Sequence, residues 1–192
     1  PGEPYIAFPH RIDRPVSGTL LVARNVRAVQ RFGGQFQSRK IGKVYWALAS
    51  GCLQEERGTW EDTMRKIPNR SLAEIVAAND PEGRQAILHY QVIARAEDGA
   101  SSWVEVKLET GRMHQIRLQF AARGFPLLGD ALYGAHLPFG PKAIDPREQA
   151  IALHARSIQF RHPVSGVEIT ITAPLPHYWA GCYSEMESAV IS

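Results

Sequence analysis

Cysteine is scarce: Cys52 and Cys182 are the only two in 192 residues, and they form no C-x-x-C pair. Zinc ribbons, thioredoxin-type redox chemistry and a disulfide-stapled secreted scaffold are thereby excluded, and reduced thiols in the cytoplasm are the expectation. Long apolar runs are missing too; nothing approaches the roughly 18–20 residues that a membrane helix needs. No membrane partner is expected. Net charge is small, 22 Lys+Arg against 19 Asp+Glu giving +3, and a pI of about 9.0 permits a nucleic-acid partner without requiring one. The chain also lacks a G-x-x-x-x-G-K-[ST] phosphate loop, a G-x-G-x-x-G fingerprint, H-E-x-x-H and G-x-S-x-G. Nucleotide hydrolysis, dinucleotide redox, zincin proteolysis and α/β-hydrolase chemistry therefore have no support, and no cofactor is expected.

What is present is a set of short runs with period two, the mark of half-covered strands in a mainly antiparallel sheet. Val44, Trp46 and Leu48 alternate with Tyr45, Ala47 and Ala49; Val104, Val106 and Leu108 alternate with Trp103, Glu105 and Lys107. Val167, Ile169 and Ile171 repeat the pattern, and Thr19 to Ala23 is a brief apolar run. Ile87 to Ala96 is a further strand, joined to the next by Glu97-Asp98-Gly99 as an antiparallel hairpin. Val26, Val29, Phe32 and Phe36 recur at helical spacing behind Asn25, a good N-cap, with Gly33-Gly34 weakening the middle by about 1 kcal/mol each. A second helix is predicted over Met113 to Arg123, with Gly124 at its left-handed cap. Gly51 to Pro81, Gly134 to Pro146 and Ala173 to Pro176 read as loops.

The densest polar cluster is His10-Arg11-Ile12-Asp13-Arg14 before a Pro-Val-Ser-Gly turn. Nearby positive charge holds Asp13 ionised, as a nucleophile, as a base, or as one half of a surface ion pair. In Thr110 to Arg117 a strand ends at Thr-Gly and a helix begins, so His114, Gln115 and Arg117 fall in its first turn, where anions are favoured, with Arg112 adding charge. His114 and Arg117 are three apart and share a face, while Ile116 and Phe120 look to the core. Tyr45 follows Lys43 by two and either packs on a neighbour or stands open to stack on a planar ligand. His10, Asp13, His114, Asp130 and His154 have no characteristic ligand spacing, so no metal is expected.

His10 to Ala23 (H-R-I-D-R-P-V-S-G-T-L-L-V-A) closely resembles the H-R-L-D signature of the RluA-type pseudouridine synthases. Four more elements follow in order: Lys43-Val44-Tyr45-Trp46-Ala47 is similar to K-x-Y-x-A, Thr110 to Arg117 to T-G-R-x-H-Q-I-R, Leu128 to Gly134 to L-G-D-x-x-Y-G, and Leu153-His154-Ala155 with His162-Pro163 to the closing L-H-A and H-P. The resemblance implies an α+β fold with a mixed, mainly antiparallel sheet in two halves, flanking helices and a central cleft. It implies isomerisation of a uridine in structured ribosomal or transfer RNA, without a cofactor. Asp13 is then the catalytic aspartate, attacking C1′ or the base, Tyr45 the stacking ring and a possible base, and Arg117 the partner of Asp13. The target nucleotide flips out of its stem, with Arg11 filling the gap, and His10, Arg14, Lys43, Arg112 and His114 complete the substrate contacts. The family carries a strand and an N-K-P-x-G segment ahead of this signature, and some members an S4 domain; residues 1–192 are accordingly expected to be one catalytic domain short of that strand, with no S4 domain, and a monomer without a protein partner. The competing readings are a non-catalytic RNA-binding or RNA-folding module on the same scaffold, and a metal-dependent hydrolase built from His10, Asp13, His114 and His154.

Overall fold

Asparagine at position 25 does what its side chain allows: in extended backbone its Oδ1 accepts from Ala28 N at 2.8 Å and starts helix α1, Val26–Gln37. The computed structural model describes residues 5–183. After α1 come β2 (Gly42–Ser50), β3 (Arg57–Lys66), β4 (Ala73–Val76), β5 (Arg84–Arg95) and β6 (Ser101–Leu108), then helix α2 (Gln115–Ala121), β7 (Leu153–Arg161) and β8 (Glu168–Thr172). A two-residue strand β1, Ser17–Gly18, precedes them all. They form a single eight-stranded sheet in the order β1-β7-β2-β6-β5-β3-β4, with β8 also paired to β7. The β1–β7 pair is parallel and the rest are antiparallel. This is the mixed α+β architecture expected. Its β5–β6 hairpin turns where expected, with Gly99 at φ +71° and Asp98 Oδ1 accepting from Ala100 N at 2.9 Å.

Three expectations need correcting. The segment Gly51 to Pro81, read as loop, contains β3 and β4. Its alternation was hidden because the core-side residue Asp62, between Trp60 and Met64, is charged; Gln119 Nε2 and Arg123 Nη1 donate to it at 2.7 and 2.9 Å, the arginine also balancing its charge. The apolar run Thr19 to Ala23 is not a strand beyond an isolated bridge between Ala23 and Ala7. Helix α2 begins at Gln115, so His114 is its N-cap residue in left-handed backbone at φ 53° rather than part of the first turn. The end fits the sequence: Gly124 sits at φ +82°.

One face of the sheet carries Ala47, Leu88, Val104 and Val106, packed under Ile116 and Phe120 of α2 and Leu127. Phe120 and Leu127 are wholly buried, worth about 1.5–3 kcal/mol each. This packing fixes α2 on that face of the sheet, beside β3 and β4, and so sets where Arg117 lies. Gly18 fixes the other wall. At φ +118° a Cβ would lie 2.3 Å from Ala155 O, so only glycine lets the segment after Asp13 pair with β7. Beside it Ser17 Oγ meets His154 Nδ1 at 2.8 Å.

Candidate active site

Asp13 opens a turn, its carbonyl accepting from Val16 N at 3.0 Å, and its carboxylate sits in a cleft of about 320 Å³. The volume is at the lower end of small-molecule sites. Tyr45 and Lys43 reach this cleft from β2, Leu108 from β6, and His114 and Arg117 from the start of α2. The β2–β7 register shifts between Val44 and Trp46, an irregularity at Tyr45 of the kind that re-aims a side chain beside a site.

Arg117 is 4% exposed and Asp130 only 1%. Arg117 Nε and Nη2 donate to Asp130 Oδ2 and Oδ1, both at 2.7 Å, a bidentate fork on a fully buried carboxylate. That leaves Nη1, which donates to Asp13 Oδ2 at 3.4 Å. The Arg117–Asp13 pairing thus exists, but as the weaker half of an Asp-Arg-Asp arrangement whose strong half was assigned no role in the sequence. Asp130 was visible there within L-G-D-x-x-Y-G; only the fold shows that it lies under Arg117. Burial lowers the arginine's pKa while the two carboxylates raise it, and the net direction is upward, so Arg117 stays charged.

His114 Nε2 lies 3.8 Å from Asp13 Oδ2, and its Nδ1 is 2.8 Å from Tyr133 Oη. His114 and Arg117 do share a face, and it looks at Asp13. Burial first, and Asp13's charge second, push the Tyr45 phenol up to about 12. The ring is therefore a neutral, protonated wall at ordinary pH. The pKa of Lys43 is lowered by burial.

Gln115 lines the cleft and, with Thr110, builds the turn beside it. Gln115 Oε1 accepts from Thr110 Oγ1 at 2.8 Å and Arg112 N at 3.0 Å, while its Nε2 donates to Ile87 O at 3.0 Å, tying the turn to β5.

The remaining candidates divide. Arg11 and Arg112 are exposed and line the cleft, whereas Arg14 is exposed and lies outside it. Arg112 Nε donates to Gln85 O at 2.8 Å. Burial and then the charges of Arg39 and Arg84 lower its pKa, marking a crowd of cations on one rim. His10 is at the cleft wall, yet its Nε2 accepts from Leu21 N at 2.9 Å and its ring lies 5.3 Å from that of Phe36. His154 is fully buried, and its nitrogens meet Ser17 Oγ and Ala173 O. Among the described residues His10, Asp13, His114 and His154 are not gathered into a ligand set.

Burial, with a contribution from Lys43, holds the His10 imidazole down at about 4. Below pH 6.5 the unfolded chain takes up a proton that the folded chain refuses, so this contribution to stability is complete above pH 6.5 and is lost as pH falls through 6.5 towards about 4. The lowered pKa values of His114 and His154 act with the same sign. The denaturation midpoint should drop between about pH 7 and about pH 5, and less steeply for His10→Gln. An identical slope in the two proteins would refute the assignment to His10.

A model of the RNA pseudouridylate synthase family matches residues 1–122. The chain belongs to that family. It is 32% identical over 179 residues to the ribosomal large subunit pseudouridine synthase D of Pseudomonas aeruginosa, covering 90% of this chain and 54% of that protein. The corresponding protein of Xanthomonas campestris pv. campestris is 36% identical over 173 residues, covering 87% and 50%. This chain spans about half the length of these relatives. Among solved structures, human RNA pseudouridylate synthase domain containing 1 superposes with a TM-score of 0.72 at 26% identity, over 90% of this chain and 70% of that one. Human RNA pseudouridylate synthase domain containing 4 shares the fold, with a TM-score of 0.71 at 20% identity over 91% and 73%. The RluA-type resemblance and the α+β fold it implies are thus both correct.

Proposed function

We propose that this chain isomerises a uridine in structured RNA to pseudouridine, with Asp13 as the attacking group. The observation that carries the reading is a carboxylate in a cleft, held through one oxygen by a buried arginine and flanked by the neutral ring of Tyr45. The contact with a fixed cation sets the direction of the carboxylate. In the reaction the N1–C1′ bond breaks, the uracil turns while held, and C5 bonds to C1′. The hydrogen on C5 leaves as a proton and N1 ends protonated, so no oxidant or energy source is consumed. Attack on C1′ and attack on the base both start from the Asp13 carboxyl oxygen. Tyr45 supplies a face for stacking and keeps its phenolic proton in the resting enzyme.

A base inside a stem is out of reach of Asp13, so the target nucleotide leaves the stack at a cost of a few kcal/mol. Arg11, exposed at the cleft edge, is suited to occupy the vacated position. Backbone phosphates pair with the rim cations, Arg112 foremost, with Lys43 deeper in. Two relatives are named for the large ribosomal subunit, which makes its RNA the first substrate to test, with transfer RNA second.

The test is tritium release from RNA labelled at uracil C5, because forming the C5–C1′ bond expels that hydrogen. Release with pseudouridine at a discrete site supports the reading; binding without release identifies a non-catalytic module instead. Removing one phosphate contact should also flatten the salt dependence of RNA binding: Arg112→Ala is expected to reduce the slope of log K against log salt by about 0.7–0.9. An unchanged slope would remove Arg112 from the phosphate path.

A further inference from the structure

Tyr133 ends the short 3-10 turn Ala131–Tyr133, directly after Asp130. Its Oη is 3.2 Å from Ala73 N, the first residue of β4, and 2.8 Å from His114 Nδ1. A backbone N–H can only donate, so Oη is the acceptor towards Ala73. The hydroxyl hydrogen is left for His114 Nδ1, the acceptor within reach among the described residues. A neutral His114 with Nδ1 accepting carries its own hydrogen on Nε2, the nitrogen that faces Asp13 Oδ2 at 3.8 Å. Arg117 Nη1 approaches that same oxygen at 3.4 Å. Both donors therefore address Oδ2, and neither addresses Oδ1.

We propose that Tyr133 is a positioning residue, whose hydroxyl fixes His114 as the Nε2–H tautomer so that His114 and Arg117 together hold Oδ2 of Asp13 and leave Oδ1 to attack. The inference rests on the isomerase reading for its chemistry and on the hydrogen-bond geometry for its tautomer. The left-handed backbone of His114 aims the ring, and histidine tolerates that conformation better than most residues. The Tyr133 ring supports it edge-on, centroids 5.6 Å apart, with the Arg117 guanidinium 5.2 Å from the Tyr133 centroid. Burial lowers the pKa of His114, Arg117 and Arg11 act in the same direction, and Asp13 and Asp130 oppose them. The net result keeps the imidazole neutral at ordinary pH, the state in which a choice of tautomer exists. At 3.8 Å the Nε2–Oδ2 approach is electrostatic, longer than a hydrogen bond.

Tyr133→Phe keeps the ring, its contact with His114 and its place beside Arg117, and removes only the hydroxyl. The single-turnover rate of tritium release should fall about 10–100-fold, the cost of a misaligned reacting group, with RNA affinity unchanged. In nitrogen-15 spectra the parent His114 should be protonated on Nε2, and the variant should shift towards Nδ1. A parent protonated on Nδ1 overturns the proposal without recourse to any variant, and so does a variant that changes tautomer while keeping the parent rate. If the parent binds RNA and releases no tritium, the isomerase reading fails and the assignment of Oδ1 fails with it, while the spectra still decide the tautomer.

Discussion

Asp13→Asn is expected to lower tritium release by about 10⁴-fold or more, the scale seen when a nucleophile is removed from a working set, while RNA affinity stays near that of the parent. The substitution preserves volume and leaves an amide oxygen able to accept from Arg117, so the cleft keeps its shape. What disappears is the negative charge and the nucleophilic oxygen. On the proposed function affinity rests on cations paired with phosphates, which the change does not touch, so it should survive. Removing an anion from a site facing a polyanion acts, if anything, towards tighter binding. The measurement is paired: release rates and equilibrium binding on the same RNA. A variant within about tenfold of the parent rate would end the role assigned to Asp13.

Asp130→Asn is expected to damage the protein twice. The carboxylate is 1% exposed and takes two 2.7 Å hydrogen bonds from Arg117. Breaking a buried pair by neutralising one partner costs about 3–5 kcal/mol, because the remaining charge is left without adequate compensation. For a chain of this size that lowers Tm on the order of 10 °C. Arg117 would then turn towards Asp13, its one remaining carboxylate partner, tightening the 3.4 Å contact and blunting the nucleophile. Release should drop sharply even at temperatures where the variant is fully folded. A Tm within about 2 °C of the parent would show that the pair is not the anchor it resembles geometrically.

Much of this site was legible before any coordinates. The Asn25 cap, the Glu97 to Gly99 turn and the strands around Tyr45 and Val104 follow local rules, where side-chain chemistry within a few residues decides the conformation. The convergence of Asp13, Tyr45, His114 and Arg117 was legible through ordered motifs, not through periodicity. What stayed hidden depends on long-range partners. β3 carries a charged residue on its core side, acceptable only because Gln119 and Arg123 arrive from α2 and just beyond it. β7 carries the buried His154, made tolerable by Ser17 and Ala173. The left-handed turn at His114 shifts the helix start, and a rule that counts free N–H groups from sequence could not detect it. Asp130 is the clearest case: its motif was visible, but no local rule reveals that it lies beneath an arginine thirteen residues earlier.

The parallel β1–β7 pairing has a consequence for the order in which the molecule acquires its chemistry. The turn bearing Asp13 is clamped at Ser17 and Gly18 by His154 and Ala155, and the Ser17–His154 bond closes a loop of 137 residues. Such distant closures are slow and come late, since the chain must lose the entropy of the whole loop before any contact repays it. On the ribosome, the N-terminal half of the signature is made first and must wait until β7 has emerged before its carboxylate is held. A nascent chain ending anywhere before residue 153 therefore holds Asp13, Tyr45, His114 and Arg117 but lacks the strand that clamps the Asp13 turn, so the cleft takes its shape only after β7 has been made.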